Sequence, residues 1–124
     1  MREASWTPKT DWFGHGNINP LNNSIMILEV AILYVREGEE VQFEKDFLKA
    51  GDFISSIKGY GGHSLRKCLE QKNKYLLLVD WGNLADHTEG FRRSAAYLEW
   101  KNLLHHYDPF PVVEHYTFVT EGIK

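Results

Sequence analysis

YLLLVDWGNLADHTEGFRRSAAYLEWKNLLHHYDPFPVVEH, residues 75–115, is the stretch whose reading decides the fold. Tyr75 to Trp81 is the most apolar run of the chain and reads as a buried strand. Asn83, with Asp86 three residues on, reads as a helix N-cap and its return partner, and Gly90 as the end of that short helix. Ser94 caps a second helix on which Ala96, Trp100, Leu103 and Tyr107 form one inward stripe. Asp108-Pro109-Phe110-Pro111 stops it, because proline offers no N–H and crowds the preceding turn. Val112 to Val119 then reads as a returning strand.

Upstream, Met26 to Val35 (MILEVAILYV) is a β-branched apolar run with a single charge, a strand wanting cover on both faces. Gly38-Glu39-Glu40 opens a helix with acidic residues at its positive end. Phe43, Phe47, Ala50, Ile54 and Ile57 recur on one face of that helix, which the pattern ends near Lys58-Gly59. A more polar strand from about His63 to Leu69, a turn at Glu70–Lys74 and the strand at Tyr75 make an antiparallel hairpin. The resulting order βαββαβ is an α+β, ferredoxin-like arrangement, an antiparallel sheet with helices on one face. Since strands one and three are apolar at consecutive positions, the uncovered face predicts a second copy packed sheet to sheet, a homodimer.

The chain of 124 residues is one domain's worth. We divide it into an N-terminal arm at 1–24, a domain at 25–120 and a tail at 121–124. The arm mixes Pro8, Pro20 and four Asn with Trp6, Trp12 and Phe13, so it is expected to lie across its own domain or a partner. A formal charge of −3 gives no footprint for nucleic acid or an anionic membrane. No run reaches the ~18 apolar residues that span a bilayer, and the N-terminus carries no signal-peptide pattern. Cys68 is the only cysteine, read as a buried inert thiol in a reducing, cytoplasmic setting. Lys58-Gly59-Tyr60-Gly61 matches half of an RNA-recognition signature, but Gly62-His63-Ser64-Leu65 lacks the stacking aromatics and the segment follows the wrong element.

GYGGHSLRKCLE, YLLLVDW, DHTEGFR, SAAYLEWKNLL and YDPFPVVEHY occur in that order. Together they resemble the antibiotic biosynthesis monooxygenase domain family, small dimeric α+β barrels, over about residues 26–119. The resemblance implies a cavity between helices and sheet. In the oxygenase members an electron-rich aromatic substrate is deprotonated there and reacts directly with dioxygen, without metal or flavin. Such chemistry requires an apolar pocket, a base and a donor for the phenolate-like anion. Haem-degrading relatives place an Asn on the first strand, a Trp after the third and a His on the following helix. Here Met26–Val35 has no Asn, Asn83–Gly90 no Trp and Ser94–Leu104 no His.

His87 is the candidate base, since an imidazole titrates near neutrality, and Arg92 the candidate anion stabiliser. Each has a plainer reading: a surface histidine on a carbonyl, and an arginine paired with Asp86 or Glu89. Trp81, Phe91 and Trp100 are expected as core or cavity wall, with His106, Tyr107 and His115 as further substrate contacts. His63 and Arg66 must face opposite sides of their strand, as must His115 and Tyr116. His105 and His106 lie about 100° apart on a helix and make no chelate. There is no H-E-x-x-H, no cysteine pair and no His–carboxylate cluster at helical spacing, so no metal is expected.

Three functions follow. The first is a cofactor-free monooxygenase acting on a small aromatic, phenolic or quinol-like substrate. The second is a non-catalytic or regulatory dimer binding a small apolar ligand in the same cavity, and the third an interaction module whose cavity is filled by its own rings.

Overall fold

The computed structural model describes residues 26–123, so the arm expected at 1–24 lies outside the described residues. Four strands, β1 (Ile27–Tyr34), β2 (Tyr60–Lys67), β3 (Lys74–Trp81) and β4 (Val113–Thr117), form one sheet in the order β2-β3-β1-β4. Every neighbouring pair is antiparallel. Helices α1 (Glu40–Ile54) and α2 (Ala95–Leu103) pack together over one face, and a π-helical segment, Asp86–Phe91, lies between β3 and α2. The fold is ferredoxin-like α+β, as the element order implies.

Side chains alternate across a strand, so each sheet face is read by counting in twos. Ala31 and Leu33 of β1 and Val35 just past its end, with Tyr75, Leu77, Val79 and Trp81 from β3, are buried beneath the helices. The α1 stripe meets them with Phe43, Phe47, Ala50 and Ile54, and α2 adds Trp100 with Leu104 just beyond it. The opposite face carries Leu28, Val30, Ile32 and Tyr34 of β1 and Leu76 and Leu78 of β3, all half-buried or exposed. Ile32 and Tyr34 keep 38% and 36% of their surface in solvent, a large apolar area without cover from the described residues.

Several boundaries differ from the sequence reading: β4 is shorter than Val112–Val119, and α2 ends at Leu103, so Tyr107 lies beyond the helix and bridges Val35 instead of completing the stripe. The first helix stops at Ile54, because Ser55 and Ser56 turn their hydroxyls onto the carbonyls of Asp52 and Phe53 and compete with the helical ladder. Ile57 still packs on the core, but from the turn. Strand β2 starts earlier than His63, because a bulge between Tyr60 and Gly62 absorbs the glycines, and it ends at Lys67, leaving Leu69 in the hairpin turn. Gly90 does not end its helix, which runs on to Phe91. Cys68 is half-buried at the hairpin end rather than in the core.

After α2 the chain folds back. Val35 bridges Tyr107, and Arg36 N–H donates to the His106 carbonyl at 2.8 Å. His106 is thereby buried with Nδ1 2.9 Å from Glu39 Oε1 and Nε2 2.7 Å from Asp46 Oδ2. Burial opposes charge on this imidazole, but the bonds to Asp46 and Glu39 outweigh it and hold His106 above the ordinary histidine range. The same bonds hold Glu39 and Asp46 below the usual carboxylate range. The histidine contribution is complete below the unfolded value of about 6.5 and is lost as pH rises through the higher folded one. The carboxylate contribution is complete above about 4.5 and is lost on acidification. Urea unfolding of wild type and His106→Gln should therefore differ most between about pH 4.5 and 6.5, and progressively less on the alkaline side. A difference independent of pH would remove the ion-pair account.

Candidate functional site

Glu29 shares the inward phase of Ala31 and Leu33, so strand geometry forces its carboxylate under the helices, where it is only 5% exposed. On β4 the residue directly opposite is His115, and on β3 it is Val79, with Trp81 two positions along. Trp81 Nε1–H donates to Glu29 Oε1 at 2.8 Å. From above, His87 on the π-helical segment brings Nε2 to 3.4 Å from the same oxygen and Nδ1 to 2.8 Å from His115 Nε2. The result is a continuous polar chain, Trp81–Glu29–His87–His115, inside an aromatic shell.

The shell is specific. The Trp81 indole stacks on the His87 ring at 5.3 Å and 17°, and Phe91 lies 5.7 Å from Trp81 and meets Tyr97 and Trp100 edge-on. His87 is set at the right height by the local chain. Asp86 N–H donates to Asn83 Oδ1 at 3.0 Å and Asn83 N–H to Asp86 Oδ2 at 3.1 Å, the reciprocal cap read from the sequence. Gly59, at φ +89°, lets the Asp86 carboxylate sit where a side chain would begin. The wide turn closes with Arg92 N–H donating to the His87 carbonyl at 3.1 Å, which carries Arg92 past the aromatic shell.

Arg92 makes no ion pair among the described residues; Arg93, not Arg92, pairs with Glu89, at 3.0 Å. Its charge instead acts on the chain. Burial pushes the Glu29 carboxyl up, opposed by the Trp81 bond and by Arg92. Burial, then the charges of Arg92 and His115, push His87 down to about 3. Burial and Arg92 also lower His115. At neutral pH both imidazoles are therefore uncharged.

These groups border a cavity of about 50 Å³ between sheet and helices. Glu29, His87 and Arg92 are its polar groups together with Tyr97 and Tyr107; Phe91, Trp100, Leu104, Phe110 and Val113 supply apolar wall. Of the residues singled out from sequence, His87, Arg92, Phe91, Trp100 and Tyr107 meet at this cavity. Trp81 lies behind His87 as core with a working N–H, and His115 joins the chain from β4 while Tyr116 points outward. His106 is not brought to the cavity; it sits beside the β1–α1 turn. His63 faces inward and Arg66 outward, as their odd separation requires, but His63 lines a separate open groove of about 700 Å³ with Phe47, Gly51 and Leu65. Sequence reasoning missed Glu29, whose signal was its phase: the one carboxylate two residues before Ala31 and four before Leu33. Among the described residues no group of three His, Cys, Asp or Glu is placed to hold a metal ion, and no helix is long and apolar enough to cross a membrane.

A ferredoxin-like sheet with a polar, aromatic-walled pocket under its helices defines the class structurally. The model of the family described as antibiotic biosynthesis monooxygenase matches residues 26–103. YczJ of Bacillus subtilis (strain 168), an uncharacterized protein, is 56% identical over 92 residues, which are 73% of this chain and 97% of YczJ. A Bordetella bronchiseptica protein that carries the family's name in its description superposes with a TM-score of 0.74 at 32% identity, over 77% of this chain and 98% of that one. SnoaB from Streptomyces nogalater, a cofactor-independent oxygenase, superposes with a TM-score of 0.59 over 79% of this chain and 95% of its own, and at 21% identity it bears on the fold alone. The chain belongs to the antibiotic biosynthesis monooxygenase family.

The Gly59 cradle gives a structural test of this site. Gly59→Ala places a methyl into the Asp86 carboxylate at a positive φ and should cost at least about 1 kcal/mol in urea unfolding. The signals of His87 should shift while those of His106 stay put. Unchanged stability and unchanged His87 signals would mean that Asp86 does not set the π-helical segment.

Proposed function

We propose that this protein is a cofactor-independent monooxygenase that oxidises a small phenolic or quinol-like aromatic with dioxygen in the cavity beneath α2. The observation that carries the reading is the pairing of a buried Glu29–His87 couple with Arg92, which makes no ion pair among the described residues, on one apolar cavity. The couple takes the substrate hydroxyl proton, and Arg92 holds the resulting phenolate. Negative charge on the ring then reduces dioxygen. One oxygen atom stays on the ring as a new carbonyl, and the other leaves as water with the substrate's O–H and ring C–H hydrogens.

The sequence reading gave the base role to His87 alone. Its placement favours sharing that role with Glu29, because a fully buried imidazole lowered to about 3 accepts a proton poorly without the carboxylate. The cavity, at about 50 Å³, is below the ~300 Å³ of an ordinary ligand pocket. A ring therefore enters only as the wall at Tyr107, Phe110 and Pro111 swings out, and Phe110, 65% exposed, is free to do so. The non-catalytic reading, a dimer that binds a small apolar ligand, draws support from the larger groove beside His63.

Oxygen uptake with a panel of anthrones, phenols and hydroquinones tests the activity. Arg92→Ala should lower turnover about a hundredfold, with Arg92→Lys partly restoring it. His87→Ala should also lower it about a hundredfold and leave the assembly unchanged. No uptake with any compound, alongside saturable binding of one of them, would hand the case to the ligand-binding reading.

We also propose a homodimer through the outer sheet face, supported by the apolar row Leu28, Val30, Ile32, Leu76 and Leu78. Sedimentation at micromolar concentration should give twice the chain mass, and Ile32→Lys should yield monomers. A monomeric wild type would exclude that face as the interface.

A further inference from the structure

We propose that Glu29, His87 and His115 form a proton relay in which His115 is the surface entry and Glu29 the store. The geometry admits two proton arrangements, set by the state of Glu29. With Glu29 ionised, Oε1 accepts from Trp81 Nε1–H at 2.8 Å and faces His87 Nε2–H at 3.4 Å. His87 Nδ1 then accepts from His115 Nε2–H at 2.8 Å, and His115 Nδ1 is left bare. A proton added at His115 Nδ1 releases the Nε2 proton to His87 Nδ1, and His87 in turn releases its Nε2 proton to Glu29 Oε1. The 3.4 Å gap closes by a small rotation of the carboxylate during that last transfer. Both imidazoles finish neutral, each with its proton moved from Nε2 to Nδ1, and Glu29 finishes as a carboxylic acid still accepting from Trp81. Release runs the same steps in reverse.

Energetics favour the carboxylate as the resting place. A buried carboxylate loses an unfavourable charge by taking the proton, whereas a buried imidazole gains one. Arg92 disfavours positive charge at both histidines. The other titratable groups facing the chain are Tyr97 on α2, Tyr107 beyond it and Tyr60 of β2, which packs on Trp81; α1 contributes none to the cavity wall. Tyr60 and Tyr107 are pushed up by burial, so they stay neutral while the relay titrates. The half-buried His115 lies on the edge strand β4, while Glu29 and His87 line the cavity. The base is thus recharged through the sheet edge, without passage through the cavity that substrate fills.

The relay rests on the reading of this cavity as the reactive site, but its test does not need oxygen. Long-range 1H–15N correlation NMR on the intact protein distinguishes the two neutral imidazole tautomers from imidazolium. As pH falls, His87 and His115 should pass together from Nε2–H to Nδ1–H at one shared midpoint before either becomes imidazolium. Glu29→Gln should abolish the passage. His115→Phe, on a half-buried edge position, should hold His87 as Nε2–H at every pH. Tautomers fixed as pH falls, an imidazolium whose midpoint ignores Glu29→Gln, or a His87 that still switches in His115→Phe would each overturn the relay. A tautomer passage without oxygen uptake leaves the relay standing and removes the oxygenase reading; uptake without the passage does the opposite.

Discussion

One carboxylate placed in the inward phase of an apolar strand constrains this end of the molecule. A buried unpaired charge costs far more than a small domain can absorb, so Glu29 must be hydrogen-bonded, neutralised or both. Its surroundings do both: an indole N–H at 2.8 Å, an imidazole above, a histidine directly opposite on β4, and a guanidinium whose field reaches it. Four aromatic or cationic groups are gathered around that one carboxyl, and this arrangement is the physical support for the proposed chemistry.

The π-helical segment answers the problem that Glu29 creates. His87 and Phe91, four residues apart, share one face and both point inward, and the wider closure from Arg92 N–H to the His87 carbonyl returns the chain at Arg92. Its position is anchored from below by Gly59 and Asp86 and from the N-terminal side by Asn83. The local sequence thus carries a cap, a glycine cradle and a bulky inward pair, which together hold one imidazole against one carboxylate.

Elements with a strong period are legible in the sequence itself. The α1 stripe, the Tyr75–Trp81 strand, the hairpin and the Ser94 cap all follow from local pattern, and Ser94 Oγ does accept from Tyr97 N–H at 3.1 Å. The site was legible only in part. His87 and Arg92 stood out by type and position, but Glu29 was passed over as a lone charge in an apolar run, although its phase with Ala31 and Leu33 placed it inward. His106, expected at the cavity, is found elsewhere, and local sequence pattern carries no signal for its true position. Its partners Glu39 and Asp46 are 67 and 60 residues away, and they meet it only because the chain after α2 returns over the β1–α1 turn. Boundaries failed where serine hydroxyls or a glycine bulge competed with the regular ladder, at Ser55 and at Gly61–Gly62.

The same two strands serve both faces of the sheet. Glu29 and His115 are paired across β1 and β4, and the residues flanking them, Leu28, Val30 and Tyr116, present to the opposite side. A partner pressed onto that face would fix the spacing of β1 and β4 and, with it, the row that the relay requires. The sheet side of the pocket is then the rigid side. On the helix side the wall is built of α2 and the Pro-punctuated return at Phe110 and Pro111 rather than of paired strand, so a ring bound as proposed would find its room there. The Asp108–Pro111 segment, which follows α2 only after Leu104–Tyr107, would then sit where the proposed ligand enters, and the apolar outer face where the sheet stays fixed.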